Sequence, residues 1–378
     1  MNLTEAQWLI LSTVDKDIQT RRFNEKKFLP ESIFKESTKL ELSFSTMSNF
    51  KECPTKFFVK KILGLGILKI GEALFLGNVV HKFNEDMIIK YTNKAMSIDN
   101  FNEDVLSTYN KIQSIFNIDA YPNKEAFVGS TFKYVMGRKK FEPDIFFDDI
   151  SFIESIADSK SNYVEQNKIL FQHAAKLLKR LFVLSNTINA KNFKPEEWLK
   201  FKIGDLPMLF IGKVDLIFDY EKDGKAMKSL VDFKTGKKEY FHWDQLNYYS
   251  VYYGNDMFEN ISKYFFDIKE CAVYAYSGSK TFESIYYEML ENCKIILNMV
   301  DLYNSSYIEL KDRYEKKLTS LLKKVNKENI HQFPCELMMA TIDILHKDFF
   351  KKNKITSYCS KAKPLCKYCD VFSFCPTK

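Results

Sequence analysis

FIGKVDLIFDYEKDGKAMKSLVDFKTGK, Phe210–Lys237, is the stretch from which the rest of the architecture can be worked out. It reads as two strands joined through a tight turn at Asp223-Gly224, a dipeptide suited to a two-residue hairpin loop. The first strand carries an isolated acid, Asp215, and the second ends in Asp232-Phe233-Lys234. Two carboxylates and a lysine on neighbouring strand ends form a chemically coherent set. Carboxylate oxygens hold a hard divalent cation. Such a cation polarises a phosphate and lowers the pKa of a bound water. A lysine ammonium is a compact charge that can orient this water or offset charge developing in the transition state. Taken alone, the same residues also read as a hairpin with solvated charges, because acids and lysines are common.

The neighbouring residues narrow this reading. VDFKTGK is preceded by GKVD and followed by QLNYY, Gln245–Tyr249. Upstream are SFSTMSNFKECPTKFF, Ser43–Phe58, and GNVVH, Gly77–His81; near the C-terminus is CKYCDVFSFCP, Cys366–Pro376, a C-x2-C-x5-C array. In this order the motifs resemble the RecB-like branch of the PD-(D/E)XK nucleases, and within it the iron–sulfur members typified by Cas4, AddB and the Dna2 nuclease domain. The resemblance implies a metal-dependent DNA nuclease. Asp215 and Asp232 would be metal ligands, Lys234 the catalytic lysine, His81 a further ligand and Phe233 a ligand through its backbone carbonyl. Gln245 and Tyr249, spaced i,i+4 on one helix face, match a QxxxY motif and would hold DNA phosphate and orient the lysine. One departure stands out: Leu216 follows the first acid where family members often carry Arg, which bears on substrate contact more than on metal binding.

The cysteines carry a separate argument. Cys366, Cys369 and Cys375 cluster within ten residues, and a cubane cluster or a tetrahedral zinc needs four thiolates. The resemblance supplies the fourth as Cys53, giving a 4Fe-4S cluster that joins the N- and C-terminal segments. Zinc stays open as an alternative, although only one short CxxC hook is present. So does Cys359, seven residues before Cys366, in place of Cys53. Cys293 falls on an apolar helix face and reads as core, while Cys271 and Cys335 show no ligand spacing.

Bulk properties set outer limits. At 378 residues the chain holds one large domain or a core with a sizeable insertion. It has 34 Phe, 21 Tyr and a net charge of +7, compatible with a polyanionic partner without requiring one. Lys60-Lys61, Arg138-Lys139-Lys140 and Lys316-Lys317 read as solvated helix faces. No apolar run is long enough to span a bilayer. The N-terminus lacks the basic region of a signal peptide, so a cytoplasmic location is expected. Eight cysteines in that setting argue for metal or core roles over disulfides.

Periodicity gives an organisation. Residues 1–40 form an extension without an assignable role, and 41–91 carry the cluster and His motifs. Residues 71–90 read as a helix with Leu74, Gly77, His81 and Glu85 on one stripe, where Glu85 could orient His81. Residues 92–195 read as a helical insertion, clearest at 164–184. Residues 196–280 hold the nuclease core, with strands at Trp198–Ile203, Met208–Asp219, Ser229–Phe233 and Cys271–Tyr276 and a helix over 241–254. Residues 281–378 read as helices near 284–303 and 308–326 leading to the cysteines. With the His81 helix in front, the fold class is α/β, a restriction-endonuclease-like αβββαβ core.

The function expected is hydrolysis of DNA phosphodiester bonds with Mg2+ or Mn2+, as an exonuclease on single-stranded ends. The alternative is a DNA-end-binding subunit of a repair or CRISPR-adaptation complex with little catalysis of its own. Digestion polarity stays open. The three Gly-Lys pairs are followed by Val214, Ala226 and Lys238, so none completes a P-loop. Any helicase activity would come from a partner chain, and no membrane partner is expected.

Overall fold

The protein is described here by a computed structural model covering residues 40–62, 72–137, 147–159, 162–236, 243–324, 336, 340 and 343–353. Two compact units divide the chain: one is built from residues up to 69, 204–209 and 290 onward, the other from 70–203 and 210–289. In the first unit, strand β1 (Leu40–Leu42) leads into helix α1 (Phe44–Glu52). A capping box starts this helix: Thr46 N–H donates to Ser43 Oγ, and Ser43 N–H donates to Thr46 Oγ1 at 2.6 Å. Part of the Ser/Thr-rich character of this motif therefore has a local structural cause. Cys53 ends the helix, and Pro54 opens a further turn, Pro54–Phe57, where its missing N–H is harmless. Beyond it, Phe58 packs its ring against Tyr303, Phe349 and Phe350 at 5.3–5.5 Å.

The second unit carries the site. Five of its helices are α2 (Glu72–Asn93), α3 (Phe101–Ile115), α4 (Lys124–Met136), α5 (Phe147–Ser159) and α6 (Lys168–Thr187). α2 and α6 are amphipathic at the helical period. Phe75, Val79, Phe83 and Met87 of α2, and Phe171, Leu178, Leu181 and Phe182 of α6, are buried in one core. Tyr91 stacks on Phe182 at 3.8 Å and places its hydroxyl on Asn186 Oδ1 at 2.7 Å. Lys176, Lys179 and Arg180 stay on the exposed face of α6.

The strands follow: β2 (Lys191–Lys202), β3 (Met208–Lys222), β4 (Lys225–Lys234), β5 (Ile261–Asp267) and β6 (Ala272–Ala275), with helix α7 (Trp243–Val251) between β4 and β5. β3 and β4 form an antiparallel hairpin in register from Leu216↔Val231 to Lys222↔Lys225. Asp223 and Gly224 turn it, both at positive φ, 53° and 71°, as a two-residue turn of matching twist requires. β5 joins β4 in parallel and β6 joins β5 antiparallel, while β2 pairs with β3. Leu216, Phe218, Val231 and Phe233 belong to the core shared with the helices. Asp215, Asp232 and Lys234 have the opposite parity and face the α7 side.

This mixed α/β architecture is consistent with the restriction-endonuclease-like fold, and the order α2, β2, β3, β4, α7, β5 gives αβββαβ. The last strand corrects the sequence reading. The strand parallel to β4 is Ile261–Asp267, and Cys271–Tyr276 supplies only its antiparallel neighbour β6. The sequence does not mark β5, because the strand is covered on both faces and contains the buried Lys263 and Asp267, which erase any simple alternation. β2 also begins at Lys191, ahead of the predicted Trp198. The two helices expected after residue 281 are one, α8 (Phe282–Leu322). Asn304, Ser305 and Ser306 are weak helix formers, but without Gly or Pro they do not break it, and Ser305 Oγ caps back to Leu302 O at 2.9 Å. No helix among the described residues is long and apolar enough to cross a membrane.

Candidate active site

Asp215 lies one residue past the Leu216↔Val231 pair, so the hairpin register brings it beside Asp232 on the same face. Both carboxylates are buried, Asp232 at 3 % exposure. Asp215 Oδ2 accepts the Phe233 N–H at 2.6 Å. Asp232 Oδ1 accepts Gln245 Nε2 at 3.1 Å, and Lys234 Nζ lies 2.7 Å from Asp232 Oδ2. Lys234 also donates to Gln245 Oε1 at 3.2 Å, and Gln245 Nε2 donates to Tyr249 Oη at 3.1 Å. One glutamine thus grips both the acid and the lysine, held in turn by a tyrosine one helical turn away.

Two glycines set the approach of the surrounding elements. A Cβ at Gly212 would overlap the Tyr249 ring, so the glycine of GKVD lets α7 close on β3. A Cβ at Gly77 would sit 3.1 Å from Thr235 Oγ1, so Gly77 lets α2 approach the end of β4. One turn further along α2, His81 reaches the acids. Its Nδ1 is 3.4 Å from Asp215 Oδ1 and 3.7 Å from Glu196 Oε1. Glu85 is engaged elsewhere, with Lys82 at 2.7 Å.

Glu196 is the residue that the sequence did not announce. It sits on β2 with φ 55°, and its other oxygen pairs with Lys213. His81, Glu196 and Asp215 each offer a ligand atom within 4.8 Å of the others, the composition of a site for a divalent cation. In the sequence Glu196 stands beside Glu197 after Pro195. No local pattern separates it from its neighbour, whose side chain pairs with Lys194 at 3.5 Å.

The electrostatics follow from burying these charges together. Burial pushes the Asp232 carboxyl up to about 6, with Asp215 adding to the shift and Lys234 opposing it. Burial would also raise Asp215, but His81, Lys234 and the Phe233 N–H together hold it below the usual carboxylate range. Burial would lower His81, yet Asp215 and Glu196 outweigh it and carry the imidazole up to about 10. Burial works against the Lys234 ammonium as well, and Asp232 and Asp215 overcome it, so its pKa is raised. Asp232 Oδ2 is buried and meets the Lys234 ammonium at 2.7 Å. An imidazole nitrogen and carboxylate oxygens within 4.8 Å of one another fit a hard or borderline divalent metal.

Of the residues expected at the centre, the fold brings together His81, Asp215, Asp232, Lys234, Gln245 and Tyr249, with Phe233 contributing its N–H to Asp215 and its ring to the core. Cys53 ends α1 with its backbone N–H donating to Asn49 O, and its Sγ accepts the Lys56 N–H of the following turn at 3.4 Å. Cys359, Cys366, Cys369 and Cys375 lie outside the described residues, and the cluster assignment with them. Cys293 is fully buried, as its helix face predicts. Comparison with known proteins gives one family: the model described as the PD-(D/E)XK nuclease superfamily matches residues 149–376, more than half of the chain. That span contains Glu196, Asp215, Asp232, Lys234, Gln245 and Tyr249, and starts downstream of His81 and Cys53. No curated protein matches the chain.

Proposed function

The chain belongs to the PD-(D/E)XK nuclease superfamily, and on that premise we propose that it is an exonuclease acting on single-stranded DNA ends with Mg2+ or Mn2+. The observation that carries the reading is the network Asp232–Lys234–Gln245–Tyr249 beside Asp215 and His81. When bound, the divalent cation would polarise the scissile phosphate and supply an acidified water. His81, Asp215 and Asp232 would hold it, with the Phe233 carbonyl as the resemblance implies. Lys234 is held by an acid on one side and an amide on the other. From that position its ammonium can act as a fixed positive charge toward the phosphate. Gln245 fixes the position of Lys234, and Tyr249 fixes Gln245. Hydrolysis adds hydroxide to phosphorus and a proton to the departing 3′-oxygen, leaving 5′-phosphate ends.

The finer placement among Cas4-, AddB- and Dna2-like nucleases rests on the cysteines. We assign Cys53, Cys366, Cys369 and Cys375 to a 4Fe-4S cluster, with a structural role in tying residue 53 to residue 375. The amide hydrogen bond to Cys53 Sγ is of the kind that stabilises a ligating thiolate. Iron and acid-labile sulfide analysis of anaerobically purified protein tests this; zinc without iron overturns it. The domain boundaries proposed are an extension over 1–40, motif segment over 41–91, helical insertion over 92–195, core over 196–280 and cluster-bearing segment over 281–378. A helicase or other DNA-processing chain is the protein partner that fits.

The deciding experiment is digestion of end-labelled single-stranded DNA with Mn2+, beside Lys234→Ala, Asp232→Ala and a circular strand. Cleavage by the wild type only, sparing the circle, supports the exonuclease, and the labelled end gives the polarity. Cutting of the circle replaces it with an endonuclease. Silence in all three, with DNA still bound, turns the reading to a DNA-end-binding subunit.

A further inference from the structure

The ligand set implied by the resemblance consists of His81, Asp215, Asp232 and the Phe233 carbonyl, and Glu196 stands outside it. Its position is nevertheless the more telling one. Glu196 Oε1 is 3.7 Å from His81 Nδ1, which is itself 3.4 Å from Asp215 Oδ1. A hard cation holding ligands at about 2.1 Å places adjacent ligand atoms about 3 Å apart. The three atoms therefore need to contract by no more than roughly one to two ångström toward a common centre. Asp232, by contrast, is turned toward Lys234 and Gln245. Glu196 Oε2 pairs with Lys213, which projects from β3, and this lysine is 43 % exposed. Its Nζ also lies 5.9 Å over the Trp198 ring, at the surface. Lys213 is thus a solvent-facing cation occupied by an acid whose other oxygen faces the candidate metal position.

Resting on the metal-centre reading above, we propose that Glu196 is a further ligand of the catalytic cation, and that Lys213 is the counter-ion it gives up when the cation binds. In the metal-free protein, Lys213 offsets the Glu196 charge. Once Glu196 turns both its charge and an oxygen to the cation, that pairing weakens, and an exposed lysine at the rim becomes available to a phosphate of the strand. Metal loading and DNA binding are coupled in this scheme because both draw on one carboxylate–lysine pair. The substrate contact is electrostatic and directed at the backbone, so it is indifferent to base sequence.

The test measures Mn2+ binding to the full-length chain without DNA, by electron paramagnetic resonance, for wild type, Glu196→Gln, Lys213→Met and Asp215→Asn. Glu196→Gln is expected to weaken Mn2+ by about tenfold or more, and Lys213→Met to tighten it by removing the competing cation. Wild-type affinity in Glu196→Gln alongside loss in Asp215→Asn overturns the Glu196 assignment and leaves the metal centre standing. No loss in Asp215→Asn overturns the metal-centre reading itself. The coupling is read separately, by anisotropy of a labelled single strand with and without Mn2+ in a Lys234→Ala background that leaves the strand intact. Mn2+ is expected to raise DNA affinity, and Lys213→Met to remove that gain; an undiminished gain overturns the exchange.

Discussion

Strands β4 and β2 each bring an acid beside Asp215, Asp232 from the first and Glu196 from the second, and they differ in almost every local respect. β4 is regular, buried over Ser229–Phe233 and paired on both sides, with β3 and β5. β2 is largely exposed, contains Pro195, and holds Asn192 and Glu196 at positive φ. On β4 the direction of a side chain follows from counting by two. On β2 the two left-handed residues reset that count, so the direction of Glu196 depends on backbone conformations a side chain rarely favours. A regular strand offers rigid placement of the acid and its lysine, and an irregular one re-aims a single carboxylate.

Four outcomes would break or sharpen that contrast. The largest belongs to β4: Lys234→Ala should lower the cleavage rate by on the order of 10²–10³-fold, read from single-turnover digestion. Next is the contact that lets α7 close on β3. Gly212→Ala should cost about 1–3 kcal/mol in urea denaturation, because the new methyl overlaps the Tyr249 ring; an unchanged midpoint would mean the ring has room to move. On β2, Glu196→Gly removes a side chain from a left-handed position and should leave stability unchanged or raise it by up to about 1 kcal/mol. Asp232→Gly on the regular strand should lower it. Equal losses at both positions would erase the distinction drawn here. The last outcome concerns β5. Burial between the Phe258 and Tyr276 rings lowers Lys263 to about 8, against weak opposition from Glu259. Between that value and the unfolded value of about 10.4, the unfolded chain holds more protons, so stability rises with pH across this window. Lys263→Met should flatten that rise in midpoint measured from pH 8 to pH 10.

What could be read from the residues follows the same division. The β3–β4 hairpin was legible because Asp223-Gly224 fixes the turn and alternation fixes the faces. Gln245 and Tyr249 were legible because a four-residue spacing has one meaning on a helix. The His81 helix was legible from its stripe, although the stripe does not say that Gly77 sets its distance from Thr235. β5 was hidden by its buried lysine and aspartate, which break the apolar run. Glu196 was hidden because its role depends on φ, which no side-chain pattern records.

The two-residue turn at Asp223-Gly224 lies far from the chemistry, roughly 27 Å from Asp215 at about 3.4 Å per residue. It is nonetheless the zero mark of a ruler. Every pair from Lys222↔Lys225 to Leu216↔Val231 is counted from it, and the count ends with Asp215 opposite Asp232. A single residue added at that loop would shift the count by one and turn Asp215 toward the side now filled by Leu216 and Phe218. The hairpin could keep its length and much of its pairing, and the enzyme would still have lost its centre.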